Sequence, residues 1–417
     1  MRKILVVGAG QSGLQLALGL QSQGYEVTLM SNRTADEIRS GRVMSTQCMF
    51  DTALQHERDL GINFWESQAP RIEGLGVSVA APGSHAEPGG SQRAIDWVGM
   101  LDGYAQSVDQ RVKMAGWVET FAQRGGQLVI HGAAVSDLDF FASRYDLTLV
   151  SAGKGELVSM FGRNPDRSPY DAPQRALAVA YVHGLGPRPE HPDFDAVRCN
   201  LVPGVGELFV MPTYTTSGRA DILFWEGIPG GPLDVFQSVK DPEEHLATTL
   251  DLMKTFLPWE YARATKVELT DAGATLAGRY APTVRNPIGR LPSGGLVLGV
   301  ADVVVANDPI TGQGSNSASK CAASYLASIV ERGAEPFDEA WMHATFERYW
   351  QTAQHVTKWT NAMLAPPPEH VLNLIGAAGQ LQPVADRFAN GFNDPSDFEN
   401  YFYDPDKAGA YLASLTA

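Results

Sequence analysis

Three glycines near the start of the chain have the residue type and the spacing of a phosphate-binding turn. They are Gly8, Gly10 and Gly13, and they lie between an apolar run at residues 4–7 and a helical pattern. The first glycine permits a tight turn, the second lets the backbone approach a pyrophosphate, and the third lets helix and strand pack closely. The helix would aim its first N–H groups at that anion. The alternative is a turn that binds nothing, but the flanking strand and helix favour a dinucleotide site.

The end of the second strand bears on which dinucleotide binds. Residues 26–30 form that strand, and Ser31, Asn32 and Arg33 follow it. A carboxylate that holds the ribose hydroxyls is expected roughly 20 residues after the glycines, and none stands here. Ser31 or Asn32 could supply a hydrogen bond instead, and Arg33 could favour a 2′-phosphate. NADP is therefore an open alternative.

Two later stretches repeat the features of a nucleotide site. Residues 145–153 form a buried-strand pattern that ends in Ala152 and Gly153, and such a strand end lies beside a bound dinucleotide. Residues 295–302 form another strand pattern, which ends in Asp302. Small residues at 308–316 then lead into a long helix, and their N–H groups make an anion-accepting nest.

Residues 41–50 combine one cation, Arg42, with small polar and soft apolar side chains. This composition is typical of a pocket lining. An ordinary loop uses similar residues, and here it would be followed by a helix that starts near Phe50 and carries Leu54, Glu57 and Arg58. From these residues alone, the pocket and the loop are equally open.

Composition limits the class of protein. With 417 residues, 44% of them hydrophobic, the chain exceeds the usual size of one core, so we expect two joined domains. A net charge of −15 without a run of Lys and Arg argues against nucleic acid and anionic membrane as partners.

The three cysteines, Cys48, Cys199 and Cys321, are far apart and odd in number. This favours a reducing cytoplasm, no disulfide framework and no metal cluster. The glycine turn begins within the first 10 residues, so we expect no signal peptide, and no apolar run of 18 residues could span a bilayer.

The order of patterns predicts an α/β fold: a Rossmann-like domain, an inserted, mainly antiparallel β domain for the substrate, and C-terminal helices. The nucleotide domain would comprise residues 1–72, 112–160 and 280–335, the substrate domain residues 73–111 and 161–279, and the helical region residues 336–417. Strand patterns of the inserted sheet lie at residues 176–182, 197–202, 207–214 and 221–228. Helices are predicted at residues 94–111 and 114–124, and from Asp241 onward.

Three pieces in this order resemble the FAD-dependent aromatic monooxygenase fold: the N-terminal glycines, a strand ending in Ala-Gly, and residues 299–302 followed by 309–316. More narrowly, the chain is similar to the styrene and indole monooxygenases over essentially its whole length. The segments that carry this likeness are residues 41–46, 174–177, 206–208, 211–213, 308–314 and 358–361.

The resemblance implies that FAD is the cofactor. Asp302 would hydrogen-bond the ribityl chain, Arg42 would lie near the pyrophosphate and isoalloxazine, and N–H groups of residues 312–316 would face the pyrimidine edge. The full set of expected FAD-binding residues is Gly8, Gly10, Gln11, Ser12, Gly13, Ser31, Asn32, Arg33, Arg42, Ala152, Gly153, Asp302, Pro309, Gly312, Gln313, Gly314, Ser315 and Asn316.

The resemblance also implies a substrate site of the indole type, because Ser45, Gln47 and Met49 stand where styrene-type members tend to carry Asn, Val and His. Ser45 or Gln47 could orient an indole N–H, and Thr46 and Arg42 are the expected catalytic residues, Thr46 near a flavin C4a-hydroperoxide. The expected apolar walls are Val43, Met44, Met49 and Met211. Epoxidation needs no general base, and His56, His131 and His183 are expected to be surface or packing residues.

The implied activity is that of the oxygenase component of a two-component system. An NADH-dependent flavin reductase would supply reduced FAD, and O2 would epoxidise indole, styrene or a similar aromatic alkene; exchangeable FAD and a homodimer follow from family likeness only. The alternatives are a single-component NAD(P)H-dependent aromatic hydroxylase or other FAD oxidoreductase, and a non-catalytic nucleotide-binding protein. A tryptophan halogenase is disfavoured because the sequence has no Trp-x-Trp-x-Ile-Pro motif.

Overall fold

The computed structural model describes residues 2–86, 90–153 and 155–416. Two large sheets and a set of helices account for most of this part of the chain, and the α/β architecture predicted above is confirmed. The strands are β1 Lys3–Val7, β2 Glu26–Ser31, β3 Ile72–Ala80, β4 Arg93–Ala105, β5 Gln127–Ile130, β6 Leu147–Val150, β7 Ala176–His183, β8 Asp195–Val202, β9 Gly206–Thr215, β10 Gly218–Gly227, β11 Glu268–Leu269, β12 Thr275–Gly278, β13 Thr283–Val284, β14 Ile288–Arg290, β15 Leu296–Gly299 and β16 Val305–Ala306.

The helices surround these sheets and form the C-terminal region. They are α1 Gln11–Ser22, α2 Ala35–Arg39, α3 Asp51–Asp59, α4 Gln110–Gln123, α5 Val135–Ala142, α6 Pro242–Phe256, α7 Pro258–Tyr261, α8 Gly314–Arg332, α9 Glu339–Leu364, α10 Glu369–Ala377, α11 Gln382–Asn390 and α12 Pro405–Thr416. No helix in the described ranges is long and apolar enough to cross a membrane.

The first sheet has the strand order β14-β15-β6-β1-β2-β5, and all of its pairings are parallel except that of β14 with β15. Helices α1 and α8 pack together beside this sheet, where the side chain of Leu326 lies against Gly19. Residues 4–7 of β1 are at most 2% exposed, as expected for a parallel strand covered on both faces. The carboxyl ends of β1, β6 and β15 therefore lie side by side at one edge.

The second sheet has the order β11-β7-β10-β9-β8-β3-β4, and β12 also pairs with β7. It is antiparallel except where β3 meets β8. Alternate residues of β10 enter two different cores: Leu223 and Trp225 pack towards α6, whereas Ile222 and Phe224 face the other side. That second core is called here the central apolar cluster, and it includes Val43, Ile72, Leu75, Tyr181, Phe209, Met211, Ile222, Phe224, Ile310 and Trp359.

The helix predicted at residues 94–111 is wrong. Residues 93–105 form β4, which pairs with β3, and α4 begins only at Gln110. The apolar side chains of this stretch match a strand because α11 covers one face of it, and a Cβ on Gly99 would lie 2.0 Å from the carbonyl oxygen of Ala385. Pairing and packing with distant segments override the local helical preference.

Local residues set several helix boundaries, and the C-terminal tryptophans contribute to packing. Thr34 caps α2 and Asp241 caps α6, and α9 ends at Leu364, before the prolines at 366–368. Trp341 and Trp359 are buried, and Trp350 packs partly buried against the first core. Residues 74–92, which we expect to form a strand and a loop, contain most of β3 and the connection to β4, and residues 87–89 of that loop lie outside the described ranges. All three cysteines are free and buried.

Candidate flavin and substrate site

The N-terminal glycines form the turn that their spacing predicts. The space around the Cβ position differs among the three of them. Gly8 has a φ of 113°, and a Cβ on it would lie 2.7 Å from Ser151 Oγ. A Cβ on Gly13 would lie 2.0 Å from the Gly8 carbonyl oxygen, whereas one on Gly10 would have no atom within 4 Å. The first and third glycines thus permit close packing, and the second faces open space at the start of α1, where a pyrophosphate needs room.

The ends of β6 and β15 come together beside this turn. A Cβ on Gly153 would lie 3.4 Å from Asp302 Cβ, so the predicted strand end and the predicted ribityl ligand are neighbours. Asp302 lies in the short 3₁₀ turn Ala301–Val303, in which Ala301 has a φ of 51°. A positive φ is costly for alanine, and such strain is typical of functional turns.

The start of α8 brings the second anion nest to the same edge of the first sheet. Gln15 Nε2 in α1 donates to the Ser319 carbonyl oxygen in α8 at 3.1 Å, so the two helices are fixed to each other. Asp308 Oδ1 accepts a hydrogen bond from Ile310 N–H at 3.2 Å and starts the turn Pro309–Thr311. Gly312 then has a φ of 62°, and Cβ atoms on Gly312 and Gly314 would meet nothing within 4 Å.

These observations fit an elongated dinucleotide such as FAD. Open space lies over Gly10 at one helix start and over Gly312 and Gly314 at the other, and Gly153 and Asp302 lie at the strand ends of the same edge. Helix N-termini with free N–H groups favour the pyrophosphate and a negatively charged flavin ring. Gly153 and Asp302 are therefore neighbours, and α8, which follows Gly312, packs against α1.

Some predicted cofactor residues have structural partners within the protein. Ser31 Oγ donates to the Arg33 carbonyl oxygen at 2.6 Å, and Arg33 Nη2 lies 2.6 Å from Met44 Sδ, so the end of β2 is tied to the 41–50 segment. Gln313 Nε2 donates to the Phe392 carbonyl oxygen at 2.8 Å. The side chain of Asn316 binds the backbone of Cys48 and Phe50. Asn32 is exposed, and Ser12 and Ser315 are buried.

Gln11 belongs to a buried polar network that the sequence reading missed. Its Nε2 donates to Glu57 Oε1 at 2.9 Å, and the Lys113 ammonium is 2.8 Å from the same oxygen. Glu57 and Lys113 are 0% and 1% exposed at their side chains. No local sequence signal identifies this network, because the pairing of Glu57 with Lys113 depends on how α3 and α4 pack.

Arg42 is exposed, and its described contacts are with the second sheet and α6. Its Nη2 lies 3.4 Å from Thr275 Oγ1, and it lines a recess of about 160 Å³ together with Lys240 and His245. Burial, followed by the positive charge of Arg42, lowers the pKa of His245 to about 4. Arg42 therefore adds positive charge to this recess.

The 41–50 segment is held at both ends and in the middle by hydrogen bonds. Val43 N–H donates to the Gly273 carbonyl oxygen at 2.9 Å, Tyr181 Oη donates to the Ser45 carbonyl oxygen at 3.0 Å, and Met49 pairs with Gln106. α3 then starts at Asp51, as the loop alternative expected. The segment is a bridge between the two sheets and α8 rather than a free surface loop.

Gln47 has a buried acceptor without a partner. Its Nε2 donates to the Val108 carbonyl oxygen, which fixes the direction of the amide, and the side chain is 4% exposed. Gln47 Oε1 has no hydrogen-bond partner in the part of the chain that the structure describes. A buried acceptor of this kind costs about 1–3 kcal/mol unless a ligand or water satisfies it.

The predicted apolar walls are not all in one place. Val43 and Met211 both lie in the central apolar cluster, with Ile72, Leu75 and Phe209 as neighbours that the sequence reading missed. Met49 instead packs with Ala53 and Leu54. Met44 lies against the first sheet's core, while Thr46 is partly buried between these regions of the chain.

The lone histidines have ordinary environments. Burial lowers the pKa of His56, which therefore favours the neutral form. His131 Nε2 is 3.0 Å from Asp137 Oδ2 at the surface, and His183 Nε2 is 2.9 Å from Ser217 Oγ. No group of three or more His, Cys, Asp or Glu in the described residues could hold a metal ion.

Comparison with known proteins gives matches that cover almost the whole chain. Residues 153–263 match the family model "Styrene monooxygenase A putative substrate binding domain". A protein named "Styrene monooxygenase StyA" from Pseudomonas fluorescens is 29% identical over 420 residues, which is 98% of this chain and 97% of that protein. Its namesake from Pseudomonas sp is 29% identical over 424 residues, or 99% and 98% of the two chains.

The chain is similar to styrene monooxygenases over almost its whole length.

This similarity extends over the N-terminal glycine turn, residues 302–316 and the second sheet. It therefore supports a flavin cofactor for this chain.

Solved structures of lower identity show the fold alone. The flavin-dependent brominase Bmp2 has a TM-score of 0.68 at 13% identity, covering 99% of this chain and 98% of that one. A flavoprotein/dehydrogenase from Cytophaga hutchinsonii has a TM-score of 0.66 at 13% identity, covering 100% and 99%. This fold is therefore common to flavin enzymes of different chemistry, and substrate must be argued from the site.

Proposed function

We propose that this protein is the oxygenase component of a two-component flavin monooxygenase. It would take reduced FAD from a separate NADH-dependent flavin reductase and use O2 to epoxidise an aromatic alkene, with indole preferred to styrene. The flavin chemistry is supported by the open space over Gly10 and Gly312 at the starts of two helices that pack together, with Asp302 beside Gly153, in a chain similar to styrene monooxygenases from end to end.

The cofactor would be held by backbone groups more than by side chains. The first N–H groups of α1 would bind the pyrophosphate, and those of residues 312–316 would lie at the flavin ring, where negative charge is stabilised by the start of α8. Asp302 would bind the ribityl chain. When bound, reduced FAD supplies two electrons and the activation of O2, and the protein positions the alkene and excludes water.

The preference for indole rests on Gln47. Its orphaned Oε1 is a hydrogen-bond acceptor inside the protein, and indole carries one N–H donor, whereas styrene carries none. A site with a buried acceptor discriminates against a ligand that leaves the acceptor unpaired. We therefore assign Gln47 to the indole N–H, with Val43 and Met211 as apolar walls.

Arg42 and Thr46 are proposed to act at the reacting end of the site. Arg42 makes no ion pair with a carboxylate in the described residues, so its charge is available to an anionic ligand. Thr46 lies one residue before Gln47 on the same bridge, and it would contact the oxygen that is transferred.

A homodimer is also proposed, and light scattering of the purified protein tests it.

The direct test supplies chemically reduced FAD, O2 and indole to the purified protein without a reductase. The expected result is consumption of indole and formation of blue indigo, with slower consumption of styrene. If neither alkene reacts, the proposal is wrong. Anaerobic mixing of the FAD-loaded protein with NADH or NADPH tests the single-component alternative, which alone predicts bleaching of the flavin.

A further inference from the structure

Glu226 is a fully buried carboxyl group that the proposed function has not used. It lies at the end of β10 and is 0% exposed. Neither of its carboxyl oxygens has a hydrogen-bond partner in the described residues. An ionised carboxylate in such a place is very costly, and a group of this kind keeps its proton instead.

The neighbours of Glu226 strengthen this conclusion. Glu207 on β9 stands directly opposite it in the strand pairing, and like charges at paired positions repel. Arg175, a cation that acts on Glu226, donates to both oxygens of Glu207, at 2.9 and 3.0 Å. A third carboxyl, Asp308, is 2% exposed and also acts on Glu226. Arg175 thus forms an ion pair with Glu207, and Glu226 and Asp308 have no hydrogen bond from it among the described residues.

The electrostatic surroundings of Glu226 also favour its protonated, neutral form. Burial, then Asp308 and Glu207, raise the pKa of Glu226 well above its ordinary value, and Arg175 offsets only part of this rise. The pKa of Asp308 is raised to about 6, mainly by burial. At neutral pH, Asp308 is thus mostly ionised and Glu226 is neutral.

Two observations relate Glu226 to the two parts of the candidate site. On β10 it shares a face with Ile222 and Phe224, which belong to the central apolar cluster. Asp308 opens the turn that leads to Gly312. Burial, and then Asp302, Asp308 and Glu226, raise the pKa of the Tyr280 hydroxyl, so Glu226 and two acids of the proposed flavin segment act on the same group.

We propose that Glu226 is the proton donor of the candidate active site. The proposal rests on the function proposed above and adds a residue to it. Glu226 would act directly or through one water molecule, and the ionised carboxylate would recover its proton from solvent before the next turnover.

The balance of the reaction requires such a donor. Reduced FAD in its anionic form brings two electrons and one hydrogen, and the alkene π bond supplies two more electrons. As the O–O bond breaks, one oxygen atom forms the two C–O bonds of the epoxide. The other oxygen leaves as water, which takes the flavin hydrogen and one further proton. The reaction thus yields oxidised FAD, epoxide and water, and Glu226 supplies that further proton.

Infrared difference spectroscopy of the flavin-free protein tests the protonation state without any turnover. Wild type at pH 8 should show the C=O stretch of a protonated carboxylic acid, and Glu226→Gln should lack it. Asp221→Asn is the matched control on the same strand, because the pKa of Asp221 is raised only to about 6, so this variant should keep the band. A wild-type spectrum without the band at pH 8 would overturn the proposal.

The pH profile of a single turnover tests the role. With reduced FAD, O2 and indole, wild type and Asp221→Asn should transfer oxygen at a rate nearly independent of pH between 7 and 9. Glu226→Gln should become about tenfold slower for each pH unit, because its proton must come from solvent, and added small acids should partly restore the rate. An unchanged profile in Glu226→Gln overturns the role even if the infrared band is present.

Binding of FAD to each variant, measured by fluorescence, separates these outcomes from simple misfolding, since Glu226→Gln is expected to bind FAD within about twofold of wild type. Failure of the wild type to oxidise any alkene would count against the proposed function, whereas the infrared result would still report on Glu226.

Discussion

Asn316 in α8 is joined to Phe50 by a buried hydrogen bond, in which Asn316 Oδ1 accepts from Phe50 N–H at 2.9 Å. The Nδ2 atom of the same side chain donates to the Cys48 carbonyl oxygen at 2.8 Å and to the Gly312 carbonyl oxygen at 3.1 Å. One amide thus connects the start of the helix proposed to face the flavin with the bridge that carries Gln47. The proposed cofactor and substrate segments therefore keep a fixed spacing.

We expect Asn316→Ala to weaken both folding and FAD binding. The change leaves Phe50 N–H and the Cys48 carbonyl buried without partners, at about 1–3 kcal/mol each, so the free energy of unfolding should fall by about 2–5 kcal/mol. Urea unfolding and FAD titration measure the two effects. The matched control is Asn393→Ala, which removes the solvent-exposed hydrogen bond from Thr52 N–H and should cost about 1 kcal/mol or less. Equal losses in the two variants would contradict the prediction.

Gly10→Ala should weaken FAD binding without loss of stability, whereas Gly13→Ala should destabilise the flavin-free protein. A methyl group at Gly10 meets no atom within 4 Å, so the melting temperature should change little, while FAD should bind at least about tenfold more weakly because the methyl enters the pyrophosphate space. A methyl at Gly13 would lie 2.0 Å from the Gly8 carbonyl oxygen and should lower the stability of the flavin-free protein by about 3 kcal/mol or more. Wild-type FAD affinity in Gly10→Ala would show that the cofactor does not pass over this turn.

Gln47→Leu should change the choice of ligand more than the rate of chemistry. Indole should bind about 3–10-fold more weakly, because one hydrogen bond is lost, and indene, which has the same shape without the N–H, should bind no more weakly than to wild type. Equilibrium dialysis of both ligands gives the comparison. Met49→Leu serves as the control, because Met49 packs with Ala53 and Leu54 and its replacement should affect both ligands alike. A parallel loss of indole and indene in Gln47→Leu would remove Gln47 from the substrate site.

Asp308 should make the stability of the protein decrease as pH rises. Its pKa is raised to about 6 by burial, so between its ordinary value near 4 and pH 6 the folded chain binds more protons than the unfolded chain. Stability contributed by this group is present below pH 4 and is lost through that window, by at most about 3 kcal/mol. Asp308→Asn keeps an oxygen for Ile310 N–H and should be more stable than wild type at pH 8 but not at pH 4. Denaturant curves at both values test this, and an Asn variant that is less stable at pH 8 would refute it.

The local parts of the fold were predictable from the sequence. The spacing of Gly8, Gly10 and Gly13 predicts their turn, because the strand, turn and helix are consecutive in the chain. The caps at Thr34 and Asp241 depend only on residues three positions away. The convergence of Asp302 with Gly153 followed from strand ends, since parallel strands share an edge.

Features that depend on distant pairing were not predictable. Residues 93–105 carry no local signal for β4, because β3 and α11, which cover this strand, depend on packing between distant segments. The separation of Met49 from Met211 follows from the hydrogen bonds of Met49 to Gln106, and the roles of Glu57, Lys113 and Glu226 follow from which strands and helices become neighbours.

The most direct test of the central claim is a crystal structure of the protein with FAD bound. The account predicts that the pyrophosphate lies over Gly10 at the start of α1, that the ribityl chain lies at Asp302, and that the pyrimidine edge of the ring faces the N–H groups of residues 312–316. FAD bound elsewhere, or in contact with only one of the two helix starts, would contradict it.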